Sequence, residues 1–124
     1  MSHPRIGAII TALSAIRNRF HREANLQAEV ARVLTGLGVH HEAEAILDKE
    51  NRIDFLLGYS LGIECKVSWG PAAIDRQIYR YAEHLAEIIL ITTKPGPTNC
   101  IGEIRNSRGE TVIVRLIETW KNPS

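Results

Sequence analysis

A surplus of charge of either sign is missing from this chain: 15 Lys and Arg stand against 14 Asp and Glu, a formal net of +1. No global basic field advertises nucleic acid, so any such binding must come from a local patch. Cysteine is scarce, and Cys65 and Cys100 lie in no metal-like spacing. Cys65 falls on the expected core face of a strand, which favours a reduced, buried thiol over a disulfide. His40 and His41 read as polar strand residues, because no Cys/His zinc spacing accompanies them. No stretch approaches the roughly 20 apolar residues of a membrane span, so no membrane partner is expected. The apolar stretch 6–16 lacks a cleavage-site pattern and is not read as a signal peptide; a cytoplasmic location is expected. Repeats, low-complexity tracts, domain linkers and a Gly-rich phosphate loop are absent as well.

What remains is one expected domain over 1–124, long enough to bury roughly 65–70 % of its unfolded surface without staples. Pro4 can open a helix. Ile6, Ile9, Ile10, Leu13, Ile16 and Phe20 then recur at three- and four-residue steps. Leu26, Val30, Val33 and Leu37 make a second stripe, stopped at Gly36-Leu37-Gly38. These are two helices or one bent helix, with Asn25 a possible cap between them. Strands are expected over 39–47, on both sides of Gly58-Tyr59-Ser60, and over 87–93, 101–104 and 111–117. A helix is expected over 72–86, a loop at Pro95-Gly96-Pro97, and a frayed tail from Lys121. The run Ile88-Ile89-Leu90-Ile91 is typical of a strand buried on both faces. Helix, three strands, helix, strand predicts an α/β fold with a mixed central sheet flanked by helices.

Charge sits where such strands normally exclude it. Asp54 lies in Ile-Asp-Phe-Leu-Leu (53–57), and Glu64 and Lys66 in Ile-Glu-Cys-Lys-Val (63–67). An unpaired buried carboxylate or ammonium is expensive. Side chains alternate along a strand, so Ile53, Phe55 and Leu57 should share one face, with Asp54 and Leu56 opposite. A turn centred on Tyr59 sets Asp54 across from Glu64, Cβ atoms roughly 4.5–5.5 Å apart. Bare carboxylates at that range repel, and one is pushed toward protonation. A hard divalent cation, Mg²⁺ or Mn²⁺, removes the conflict. Lys66 lies about 7 Å along the strand from Glu64, within reach of a water or a phosphate oxygen.

These residues resemble the PD-(D/E)xK nuclease superfamily, with its restriction-endonuclease-like αβββαβ core. The likeness spans residues 26–93 as the catalytic core, after an N-terminal helix in 1–24 and before C-terminal strands in 94–120. Its RecB-like and Holliday-junction-resolvase-like branch carries a Gln-x-x-x-Tyr signature similar to Gln77 and Tyr81, which share a helix face. Small phage-type nucleases look similar in size. The proline that often precedes the aspartate is absent from Arg52-Ile53-Asp54, and no extra DNA-recognition domain is expected within 1–124. The resemblance implies that Asp54, Glu64 and the Cys65 carbonyl hold Mg²⁺ or Mn²⁺, with Glu29 assisting from the preceding helix. It also implies that Lys66 orients or deprotonates the attacking water, and that Gln77 and Tyr81 support the site.

The expected activity is a metal-dependent deoxyribonuclease, structure- or end-selective, with DNA as partner, RNA left open, and a homodimer where both strands are cut. Arg76 and Arg80 are candidate DNA contacts, as is Lys94. Arg17, Arg19, His21 and Arg22 form a second basic cluster, either a DNA contact or part of a dimer interface. Trp69 either stacks a base or packs at the rim. The competing readings are a non-catalytic nucleic-acid-binding module on the same fold, and an assembly protein whose hairpin charges are incidental.

Overall fold

The computed structural model describes residues 2–17, 20–94 and 99–119. Arg19, the Pro95-Gly96-Pro97 loop and the tail from Lys121 lie outside the described residues. Three helices and six strands follow in the order α1 (Ile6–Ser14), α2 (Glu23–Gly36), β1 (Glu42–Ile46), β2 (Arg52–Leu57), β3 (Leu61–Lys66), α3 (Pro71–Tyr81), β4 (Glu87–Thr92), β5 (Gly102–Arg105) and β6 (Thr111–Glu118). The fold is mixed α/β.

The strands form one six-stranded sheet in the order β1-β2-β3-β4-β6-β5. β1, β2 and β3 are an antiparallel meander; β3, β4 and β6 run parallel, and β5 closes the edge antiparallel to β6. α1 and α2 cover one face, where Ile9, Leu13, Leu26, Val30 and Leu34 pack on Phe55, Ile63, Cys65, Ile89 and Ile91. α3 covers the other, with Ile74, Ile78 and Tyr81 on Ile53, Ile88, Leu90 and Val114. β4 is therefore buried on both faces along its whole length, as its continuous apolar run requires. Cys65 and Cys100 are free, buried thiols.

The first two helices are separate. α1 ends at Ser14, although Ile16 beyond it is still buried, and α2 begins at Glu23 after Arg22 as N-cap. Asn25 is thus inside α2 and caps nothing. α2 stops where expected: Gly38 takes φ 70, and the Val39 amide returns to the Leu34 carbonyl (3.0 Å). α3 starts on Pro71 and stops at Tyr81, short of the expected 86. Residues beyond its end turn back through His84 N–H to the Tyr81 carbonyl, and Leu85 stays in the core from a loop.

One expectation about faces fails. Phe55 and Leu57 point to α1 and α2, but Ile53 packs in the α3-side core. The alternation breaks at Asp54. Glu44, which the β1–β2 register sets opposite Asp54, has φ 50, so both strands are distorted at one level.

Candidate active site

Pairings Phe55↔Ile63, Leu56↔Gly62 and Leu57↔Leu61 centre the β2–β3 hairpin on Tyr59. Continued one step, this register sets Asp54 opposite Glu64. At that level side chains replace carbonyls as acceptors. The Cys65 amide donates to Asp54 Oδ2 (2.8 Å), and the Asp54 amide donates to Glu64 Oε1 (3.2 Å). The hairpin is thereby parted and held open by its own two carboxylates.

Lys66 Nζ lies 3.2 Å from Glu64 Oε2. The Tyr81 hydroxyl is 3.2 Å from that same oxygen and 2.8 Å from the Arg52 carbonyl. Having one proton, it donates to one or the other. Gln77 Nε2 donates to the Tyr81 hydroxyl (2.8 Å), so the i,i+4 pair on α3 acts as one unit aimed at Glu64. Asp54, Glu64, Lys66, Gln77 and Tyr81 are therefore in mutual contact, directly or through one another.

Glu29 is not among them. It pairs with Arg32 on α2. The α2 carboxylate at this cluster is Glu23, which accepts the Val67 amide and feels both Lys66 and Asp54; Gln27, one turn on, hydrogen-bonds Asp54. The apolar stripe of α2 has two polar edges. Docking on the sheet turns the Glu23–Gln27 edge toward the hairpin and leaves Glu29 on the other. Glu29, expected at the site, lies on the α2 edge away from this cluster.

Burial raises all three carboxyls. Glu64, 3 % exposed, is pushed up to about 7, first by desolvation and then by Asp54, against the opposing pull of Lys66. Asp54 is raised by desolvation, against the Cys65 amide and Gln27. Glu23 is raised by desolvation and, less, by Asp54, with Lys66 opposing. The Tyr81 phenol is raised too, by burial and by Glu64, and stays a proton donor.

Among the described residues, no three His, Cys, Asp or Glu side chains already stand as a metal-holding group. The donor set nevertheless fits a hard divalent cation. Three carboxyls share one lysine, and each resists ionisation in the absence of further positive charge.

Other expected contacts are placed as follows. Arg22 is exposed beside Glu23, and Arg76 and Arg80 are exposed on α3, with Arg80 Nε donating to Asn51 Oδ1 (3.0 Å). Lys94 Nζ lies 5.0 Å above the Trp69 ring and 3.5 Å from the Trp69 carbonyl. The indole is half-buried against the α3-side core, so it is engaged within the fold at the rim. Glu23 and Gln27 are the residues that sequence reasoning passed over; their i,i+4 spacing beside Leu26 and Val30 was the available signal.

Comparison of the chain with protein-family models, with curated proteins and with solved structures finds no match in any of the three.

Proposed function

We propose that this protein is a metal-dependent nuclease of the PD-(D/E)xK kind, hydrolysing phosphodiester bonds in DNA on a restriction-endonuclease-like core. The observation that carries the reading is the interlock of Asp54 and Glu64 across β2 and β3 with Lys66 on the same glutamate. A packing role alone does not call for two carboxylates opposed in a buried hairpin, both raised by desolvation.

Asp54, Glu64 and the Cys65 carbonyl would hold Mg²⁺ or Mn²⁺, with Glu23 in the assisting part first expected of Glu29. When bound, the ion supplies charge to polarise the scissile phosphate and to acidify a water. Lys66 orients that water and balances the negative charge that grows on the phosphoryl oxygens. The water oxygen bonds to phosphorus, one P–O ester bond breaks, and the leaving oxygen takes a proton. Tyr81, braced by Gln77, fixes Glu64 so that its carboxylate keeps one orientation. Gln27 does the same for Asp54. One cluster cuts one strand; cutting both takes two chains.

The test pairs calorimetric titration of Mg²⁺ and Mn²⁺ with a cleavage panel of single-stranded, duplex, flap and junction DNA. Lys66→Ala should fold, still bind metal, and lose on the order of 10²–10³-fold in cleavage rate. Asp54→Ala should lose both metal and cleavage. Undiminished nicking by either variant would overturn the mechanism.

A further inference from the structure

The arginines of this fold divide into two groups. Five are tied down within the fold. Arg5 donates to the Leu37 carbonyl (2.6 Å), Arg105 to the Gly109 carbonyl (2.7 Å), and Arg32 pairs with Glu29. Arg108 pairs with Glu110 (2.8 Å) and Arg115 with Glu87 (3.5 Å). Arg17, Arg22, Arg52 and Arg76 are exposed and have no such partner among the described residues, and Arg80 engages only the neutral Asn51. A single unpaired surface arginine is ordinary. The placement of four of them is not: Arg17, beyond the end of α1, is the exception, and each of the others directly precedes or contacts a residue of the carboxylate cluster. Arg22 precedes Glu23, Arg76 precedes Gln77, and Arg80 precedes Tyr81; the Arg52 carbonyl receives the Tyr81 hydroxyl.

These cations lie on two sides of the site. Arg22 caps α2, which packs on one face of the sheet, whereas Arg76 and Arg80 ride α3 on the other. The carboxylates sit between, at the end of the sheet where Lys66 leaves β3. At about 10 Å per packed layer, the two helices are roughly 20 Å apart across the sheet. A polyanion touching both must pass over the carboxylates and continue beyond them in each direction.

We propose that the polynucleotide is held on both sides of the carboxylate cluster, over the start of α2 and over α3, so that bonds interior to a strand are cut and no free end is required. This rests on the nuclease reading above. An enzyme that works inward from an end needs grip on one side of the reacting bond; a two-sided grip favours internal bonds and a substrate several nucleotides long.

The experiment has a cleavage arm and a binding arm. In the first, a covalently closed single-stranded DNA circle and its linear form are incubated with the full chain and Mn²⁺; both should be cut at similar rates. In the second, metal-free protein is titrated with oligonucleotides of increasing length. Affinity should rise until the strand spans both helices, about six nucleotides at 3.4 Å each, and then level off. Arg22→Glu and Arg76→Glu should each weaken binding and flatten its salt dependence, by about 0.7 in the log–log slope for each phosphate no longer neutralised. Arg105→Glu, on the far edge strand, should change neither. Digestion of the linear form with the circle intact would overturn the proposal, as would full affinity for a trinucleotide or indifference to Arg22→Glu. If the length and charge dependence hold while neither form is cut, the two-sided track stands and the nuclease reading falls.

Discussion

Glu64 is where burial, charge and hydrogen bonding meet most tightly. It is nearly inaccessible, it opposes Asp54, and its oxygens are engaged by Lys66, Tyr81 and the Asp54 amide. With its carboxyl raised to about 7 in the fold and ordinary when unfolded, the folded state binds the proton more tightly. Its stabilising contribution is then full below about pH 4.5 and is lost as pH rises through 7. The displacement corresponds to on the order of 3 kcal/mol across that window. Asp54 and Glu23, also raised, act in the same direction. Asp48, held down to about 2 by Asn51 and the Glu50 amide, works oppositely and weakens the fold only in stronger acid. Urea unfolding of the metal-free protein should therefore show stability falling from pH 5.5 to pH 8. Glu64→Gln should flatten much of that fall and be the more stable protein at pH 8; an unchanged slope would refute the assignment. That Asp54, Glu64 and Lys66 belong together was legible in the sequence, because charge inside apolar strands has to be answered by something. Glu23 was not, since nothing in a helical repeat says which polar edge of the stripe meets the sheet.

At the scale of elements, the β2–β3 hairpin was legible in register and only partly in its faces. Gly58-Tyr59-Ser60 fixed the pairing, and the Ile88–Ile91 run fixed a central strand. The flip of Ile53 to the α3 side depends on Asp54 capturing the Cys65 amide, a contact between strands that alternation within one strand does not encode. Gly62 on β3 answers that flip. A Cβ there would lie 2.3 Å from Ile53 Cδ1 and 2.6 Å from Leu85 Cδ1, both in the packed α3-side core. A glycine is needed for the close approach of Ile53, not for its backbone angles. Gly62→Ala should cost about 1–3 kcal/mol by overpacking, read by chemical denaturation. Because Ile53 adjoins Asp54, it should also slow the cleavage proposed above. Trimming the obstruction in Gly62→Ala/Ile53→Val should recover part of the stability, whereas a simple loss of strand propensity would not be rescued.

For the molecule as a whole, the sheet brings three raised carboxyls from α2, β2 and β3 to one end and supplies one lysine to meet them. The fold alone is thus under electrostatic load at neutral pH, and a divalent cation held by Asp54 and Glu64 would relieve it. Linkage makes this measurable without any substrate. A ligand that binds only the folded chain stabilises it by about 2.7 kcal/mol at a hundred times its Kd. Since a carboxylate must shed its proton to take the ion, metal binding releases protons and strengthens with pH. Thermal melts with Mn²⁺ should therefore show a small upward shift at pH 5.5 and a larger one at pH 8, with Asp54→Ala and Glu64→Ala abolishing both. An equal shift at the two pH values, or one that survives either variant, would mean that any ion is bound elsewhere on the surface. The hairpin charges would then be an internal ion-pair network that Lys66 balances alone.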